Sequence, residues 1–175
     1  MHREISLDSF SENTFKIIGE DSMLITAKKP DGSFNTMTAS WGGLGVMWAK
    51  KIAMCVIRPH RYTYEFAEAA ETLTFSFFPG DYKAALTLCG TKSGRDCDKI
   101  ALAGLTPVQD GDAAYFSEAR LVLVCRKLYH QDIDPAGLED AVREEALAFY
   151  PNNDFHRMYV GEIVKALGGS SCRNV

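Results

Sequence analysis

The chain has 175 residues, of which 46% are hydrophobic and 24% charged, and a net charge of −4. That length and balance exclude a disordered chain and predict one domain over residues 1–175 that builds its own core without staples. The acidic total argues against a general nucleic-acid binder, and no apolar run reaches the length of a membrane span.

Basic residues gather only locally, at Lys50-Lys51, at Arg58 and Arg61, and at Lys92, Arg95 and Lys99, a pattern suited to a small anionic ligand. The five cysteines (55, 89, 97, 125 and 172) form no C-x-x-C pair and have no zinc spacing. The opening "MHREISLDSF" lacks the apolar segment of a secretory signal. Reduced, mostly buried cysteines in a cytoplasmic protein are the expectation. The termini, residues 1–10 and 168–175, are expected to be loose.

In chain order, "SMLITAKKPDGSFNTMTASW" places two β-rich runs around Pro30-Asp31-Gly32 and predicts a hairpin. "KIAMCVIRP" is a short apolar run rich in β-branched residues, predicting a buried strand, with Arg58 held extended by Pro59. "YTYEFAEAAET" predicts a short helix capped by Thr63, and "LTFSFF" another strand. Asp81 is placed to cap a helix over "YKAALTLC" that Gly90 stops, and Asp96 to cap "CDKIALA", stopped by Gly104. "AYFSEARLVLVCRKLYHQDI" predicts one long strand, apolar on both faces from Leu121 to Val124. A helix from Pro135 to Tyr150, capped by Asp134, and a last strand "RMYVGEIVKAL" complete the chain. Strands without long crossover helices predict a mainly β, α+β architecture closed as a small antiparallel barrel.

The stretch "LCGTKSGRDCDK", from Leu88 to Lys99, has glycines, hydroxyls and three basic side chains but not the order of a P-loop. It connects two predicted helices. Ser93, Gly94 and Arg95 therefore stand ahead of a helix start, where free N–H groups favour an anion. Dinucleotide, zinc-protease and nucleophile-elbow motifs are missing. His130 and Asp132 share a strand face, and an isolated surface pair explains them better than a metal site. Cys89 and Cys97 flank the loop without any spacing that makes them a redox pair.

Four segments resemble the flavin reductase-like family, and most of all its flavoredoxin-type members: "NTMTASWGG" (35–43), "IRPHRYTYEF" (57–66), "SGRDCDK" (93–99) and "FHRMYVGEI" (155–163). They occur in the family's order and cover nearly the whole chain from Ser22 to Val164. The resemblance implies an FMN-binding split β-barrel of Greek-key type, acting as a homodimer with the flavin near the interface. It implies flavin contacts from Thr38, Ala39, Ser40, Trp41, the segment from Arg58 to Thr63, and the loop from Ser93, Gly94 and Arg95 to Lys99. Trp41, Thr63, Lys99 and His156 match positions around the isoalloxazine, which makes Lys99 and His156 the candidate catalytic groups at the flavin edge.

The residue chemistry suits these roles. Thr38 and Ser40 share a strand face and carry hydroxyls. Arg58 and Arg95 can grip phosphate bidentately, and of Arg58 and Arg61 the former, at a strand end, is the stronger candidate. Trp41 has a flat apolar face. A cation or imidazole near the ring's N1–C2=O edge would stabilise charge developing there. The implied activity is an NAD(P)H-dependent oxidoreductase that passes electrons to free flavin, iron or a redox partner protein. The alternatives are an FMN electron carrier reduced by a partner protein and a non-catalytic FMN-binding module. "LGVMWAKK", after the glycines, is bulkier and more basic than the family pattern.

Overall fold

The computed structural model describes residues 2–169. Its strands are β1 (Arg3–Glu4), β2 (Met23–Lys28), β3 (Phe34–Ala39), β4 (Gly42–Met47), β5 (Lys50–Ile57), β6 (Thr72–Phe77), β7 (Pro107–Asp110), β8 (Ala113–Phe116), β9 (Leu121–Asp132) and β10 (Arg157–Gly168). Helix α1 (Tyr62–Ala69) lies between β5 and β6, α2 (Lys83–Thr91) and α3 (Lys99–Leu102) follow β6, and α4 (Asp140–Ala148) lies between β9 and β10.

The main sheet is antiparallel throughout, in the order β3-β2-β6-β9-β10-β5-β4, with β1 on β10. The two twelve-residue strands, β9 and β10, form its spine. β6 pairs with residues 121–126 of β9, whereas β5 pairs with residues 157–162 of β10, whose partners on β9 run from Arg126 to Asp132. The two wings of the sheet therefore leave opposite ends of the spine. This is the split of the split barrel.

The period of two along the central strands explains why their sequence looks apolar on both faces. Ile25, Phe75, Leu121, Leu123 and Tyr159 point into one core, while Leu24, Val122, Val124 and Phe116 point into a second. The second core includes Phe78, Leu86 and Cys89 and takes in the β7–β8 hairpin.

Several expectations need correction. The first residues are not loose: Arg3 and Glu4 pair with Gly168 and Leu167, and Ile5, Leu7 and Phe10 pack on the core. Gly168 likewise belongs to β10; residues 170–175, including Cys172, lie outside the described residues. The single strand expected over 114–133 is two, because Glu118 accepts the Thr106 N–H at 3.0 Å and Ala119 turns back onto Phe116. The helix expected from Pro135 splits into a 3-10 turn, capped as foreseen by Asp134, and α4. Asp81 falls inside a 3-10 turn instead of capping α2, and Gly90 lies within α2 instead of ending it. Asp98 caps α3, not Asp96. The unforeseen strand β4 is glycine-rich and mostly exposed, so it has neither the apolar density nor the alternation that marks a buried strand. It turns into β5 through Trp48 and Ala49, both at positive φ (51° and 55°), as a tight two-residue hairpin requires.

Candidate functional site

The end of β3, the start of α1 and the segment before β10 converge on a cleft of about 280 Å³. Thr38, Ala39, Ser40 and Trp41 form one wall, Arg58 and Arg61 a second, and Phe149 and His156 a third. Trp41 meets Phe149 edge-on at 5.2 Å between ring centroids and His156 at 5.2 Å with a 48° tilt. The Thr38 hydroxyl donates to the Leu86 carbonyl, so towards a ligand it is left as an acceptor. Arg58 donates to the Phe149 carbonyl at 2.6 Å and to Asp154 at 3.1 Å, and lies over the Tyr150 ring. Asp154 also pairs with His60 at 2.9 Å. Arg58 is therefore largely committed within the protein. Burial, helped by the positive charge of Arg58, pushes the His156 imidazole down to about 4. It is neutral at neutral pH.

A second cleft, of about 470 Å³, lies on the other side of Arg61. Its lining includes Thr63, Ser93, Arg95, Asp96 and Lys99, together with Arg61 itself. Lys99, a candidate flavin-edge group, is only 3% exposed although it lies on a helix, where a lysine side chain is normally solvated. Its ammonium donates to the carbonyls of Cys89 and Lys92, each at 3.3 Å, and burial pushes it down to about 8. Arg95 is paired with Glu65, donates to the His60 carbonyl and stacks over Tyr62. The Ser93 hydroxyl accepts from the Arg95 N–H at 3.1 Å.

Gly94 lines neither cleft but sets the loop's height. A Cβ there would stand 2.4 Å from Asn35 Oδ1 and 3.2 Å from the Tyr62 ring. The buried Asn35 is fixed in turn, because its amide donates to the Thr63 hydroxyl at 2.8 Å. Asn35 thus joins β3, α1 and the 93–95 loop. Thr63 is accordingly a buried member of the first helical turn and not its cap. The residue at the cap position is Arg61, and no side chain caps the helix.

The structure therefore collects Thr38, Ala39, Ser40, Trp41, Arg58 and His156 in one cleft and Thr63, Ser93, Arg95 and Lys99 in its neighbour. It moves the centre of positive charge. Ahead of α3, the Asp98 carboxylate takes the Ala101 N–H at 3.1 Å and puts negative charge at that end. The least committed cation of the two clefts is Arg61. It lines both clefts, is more than half withdrawn from water, and has no acid or carbonyl partner for its guanidinium among the described residues. Burial and the neighbouring Arg58 both weaken its hold on its proton. Among the described residues no acid pairs with that charge, although Asp96 lines the same cleft, and the first-turn N–H groups of Tyr62 and Thr63 have no acceptor within their own helix. The sequence signal for Arg61 was its place at the junction of an extended Arg58-Pro59 step and a helix start.

The fold is a split β-barrel with two neighbouring clefts that share Arg61. Its architecture matches solved structures over nearly the full chain. Flavoredoxin from Desulfovibrio vulgaris (Miyazaki F) superposes with a TM-score of 0.67 at 22% identity, over 98% of this chain and 80% of that one. An FMN-binding protein from Thermus thermophilus gives 0.67 at 16% identity, over 97% and 83%. A Shewanella frigidimarina chain with a split barrel domain gives 0.67 at 17% identity, over 93% and 75%. Among curated proteins none matches this sequence. Residues 18–172 match the flavin reductase-like domain, and the chain belongs to that family.

Proposed function

We propose that the groove binds FMN and that the protein is an NAD(P)H-dependent flavoprotein oxidoreductase. The observation that carries this reading is Arg61: a half-buried guanidinium without a counterion, beside an uncapped helix start, at the junction of a polar cleft and an aromatic one. A ligand with a dianionic phosphate, a hydroxylated chain and a broad ring matches that sequence of environments. The phosphate would be held by Arg61, the Tyr62 and Thr63 N–H groups and Lys99. Ser40, Ala39 and the acceptor oxygen of Thr38 would meet the polar chain or ring edge, and Trp41 would wall the ring. Ser93, Gly94 and Arg95 would act by shaping the cleft instead of neutralising the phosphate. When bound, FMN supplies a ring that takes up hydride from NADH or NADPH and releases electrons to free flavin, iron or a redox partner.

The protein's own contribution is electrostatic. Arg61 and Lys99 compensate negative charge in a partly dehydrated groove, where such compensation is stronger than in water. His156, neutral at neutral pH, offers a hydrogen bond without adding charge.

The reading extends to assembly and location. Edge strand β4 exposes Val46 and Met47, and the hairpin after it exposes Trp48, which meets Tyr129 at 6.4 Å. An exposed apolar edge of this kind is suited to pairing with a second copy, and β4 begins next to Trp41, which would put the ring near the dimer interface. Cys55, Cys89, Cys97 and Cys125 are all free, which suits the cytoplasm. No helix among the described residues is long and apolar enough to cross a membrane.

The deciding experiment is an absorption spectrum of protein purified without added flavin, repeated after FMN titration and then after anaerobic NADH. Bound, nicotinamide-reducible FMN is the expected result. Protein that stays colourless and takes up no FMN overturns the reading.

A further inference from the structure

Tyr150 follows α4 and sits outside every segment that marked the site in the sequence. It is nonetheless one of the most confined polar side chains near the groove, at 8% exposure. Phe155 packs against its ring at 4.5 Å between centroids, and the Arg58 guanidinium lies over the same ring, 5.2 Å from its centroid. Its hydroxyl is 2.8 Å from His156 Nδ1. The imidazole is itself held between Tyr150, edge-on at 5.5 Å, and Trp41.

We infer that Tyr150 is the positioning residue of the site: its phenol donates to His156 Nδ1, so the imidazole presents an Nε2–H donor to the groove. The direction of the bond follows from what else could take the phenol proton. Among the described residues no other acceptor lies within reach of that hydroxyl. Asp154 Oδ1, the nearby buried carboxylate oxygen, receives no hydrogen bond from any group. A phenol is also a better donor than acceptor, and the cation over the ring strengthens that bias. With Nδ1 occupied as an acceptor, the single proton of a neutral imidazole sits on Nε2. Nε2 has no partner within the described protein, and His156 lines the Trp41 cleft.

The site thus has a fixed hydrogen-bond donor for a neutral or anionic acceptor atom on the ring of the ligand. The charged groups facing the imidazole are Arg58 and Arg61, which oppose its protonation, and Asp154, which favours it; His60 opposes protonation when charged. None of them bonds to Nδ1, so Tyr150 alone sets the tautomer. The Tyr–His pair stands on its own geometry. Only the identity of the ring acceptor rests on the FMN reading.

The test is long-range proton–nitrogen NMR of the His156 ring in ligand-free protein, followed by Tyr150→Phe. In the wild type, Nδ1 should show the shift of an unprotonated nitrogen and Nε2 that of a protonated one at neutral pH. Removing the hydroxyl removes a bond made only to the neutral ring, so the His156 titration midpoint should rise by about 0.5–1 in pH. FMN and riboflavin should both bind the variant about 3–10-fold more weakly, since the lost order acts on the ring and not on the phosphate. A protonated Nδ1 in the wild type overturns the inference, and so does a midpoint that stays or falls in Tyr150→Phe, because a phenol accepting from Nδ1–H would stabilise the charged ring. Should the variant fail to fold, the wild-type nitrogen shifts decide alone. Failure of the wild type to bind FMN would remove the flavin reading and leave the NMR result standing.

Discussion

The two clefts that meet at Arg61 solve the problem of buried charge in opposite ways. On the Trp41 side, the cation that belongs to that cleft alone is satisfied: Arg58 has the Asp154 carboxylate, the Phe149 carbonyl and the face of Tyr150. On the Lys99 side, two cations stand withdrawn from water with carbonyls or nothing for company. A satisfied cation is scaffolding, and an unsatisfied one is a vacancy for an anion, because leaving it unpaired costs far more than pairing it returns. On the proposed reading, this difference assigns the ring to the Trp41 cleft and the phosphate to the Lys99 cleft, although both are lined by residues of similar type.

The sharpest way to break that comparison is Arg61→Ala. A charge-assisted bond to phosphate contributes about 1.5–3 kcal/mol, so FMN affinity should fall about 10–100-fold. Riboflavin, which lacks the phosphate, should bind variant and wild type alike. Fluorescence titration with the two ligands checks both halves. Equal losses for both would show that Arg61 contacts the ring and that the clefts have been assigned the wrong way round.

Next in size is Gly94→Ala. The added methyl meets Asn35, which cannot swing aside without giving up its bond to Thr63. Overpacking of this kind destabilises by about 1–3 kcal/mol, measurable as a lower urea midpoint. The loss of FMN affinity should reach the phosphate cleft and leave the Trp41–His156 contact unchanged, which the His156 NMR signals would report.

The sheet was legible where burial imposes a period. The two faces of β9 and the turn at Pro30-Asp31-Gly32 are written in local chemistry, and so is the 3-10 cap at Asp134. β4 was not, since an exposed edge of glycines carries no alternation. The break at Ser117–Arg120 was not either, because Glu118 acts on Thr106 across a distant loop closure. For the two clefts, motif resemblance gathered segments that the fold brings together around them, with Gly94 behind the lining. What spacing cannot show is commitment. Arg58, Arg61 and Arg95 are indistinguishable as letters, and only the fold reveals that Asp154 and Glu65 occupy two of them and that no acid among the described residues reaches the third. Burial of Lys99 is equally a tertiary fact: helical position alone predicts a solvated side chain.

Lys99 makes the contrast pH-dependent. Its folded value, pushed by burial to about 8, lies below the roughly 10.4 of an unfolded lysine. The unfolded chain therefore binds more protons between those values, and this group's contribution to stability is complete above about pH 10.4 and lost as pH falls through about 8. Relative to Lys99→Met, the wild type should gain stability as pH rises across that window. Anion binding runs the other way, since a phosphate needs the charged form. FMN affinity should drop by up to about tenfold from pH 7 to pH 9 in the wild type and stay flat in Lys99→Met. A flat wild-type profile would mean that the ammonium does not face the phosphate.

The smallest expected effect is the most direct check on the difference between committed and uncommitted cations. Arg95 lines the same cleft as Arg61 and is the residue that the loop sequence points to, yet it is already paired with Glu65 at a half-exposed site. Exposed pairs contribute about 0–1 kcal/mol, and a cation so engaged must leave its partner before it can serve a ligand. Arg95→Ala should therefore change FMN affinity by less than about threefold, while Glu65→Gln, which releases the arginine, should strengthen it slightly. Both effects should fade with added salt, which screens exposed charges more than the half-buried Arg61. A tenfold loss in Arg95→Ala would instead mean that the Glu65 pair opens on binding. The distinction between the cations would then lie in what the ligand displaces and not in what the folded protein leaves unpaired.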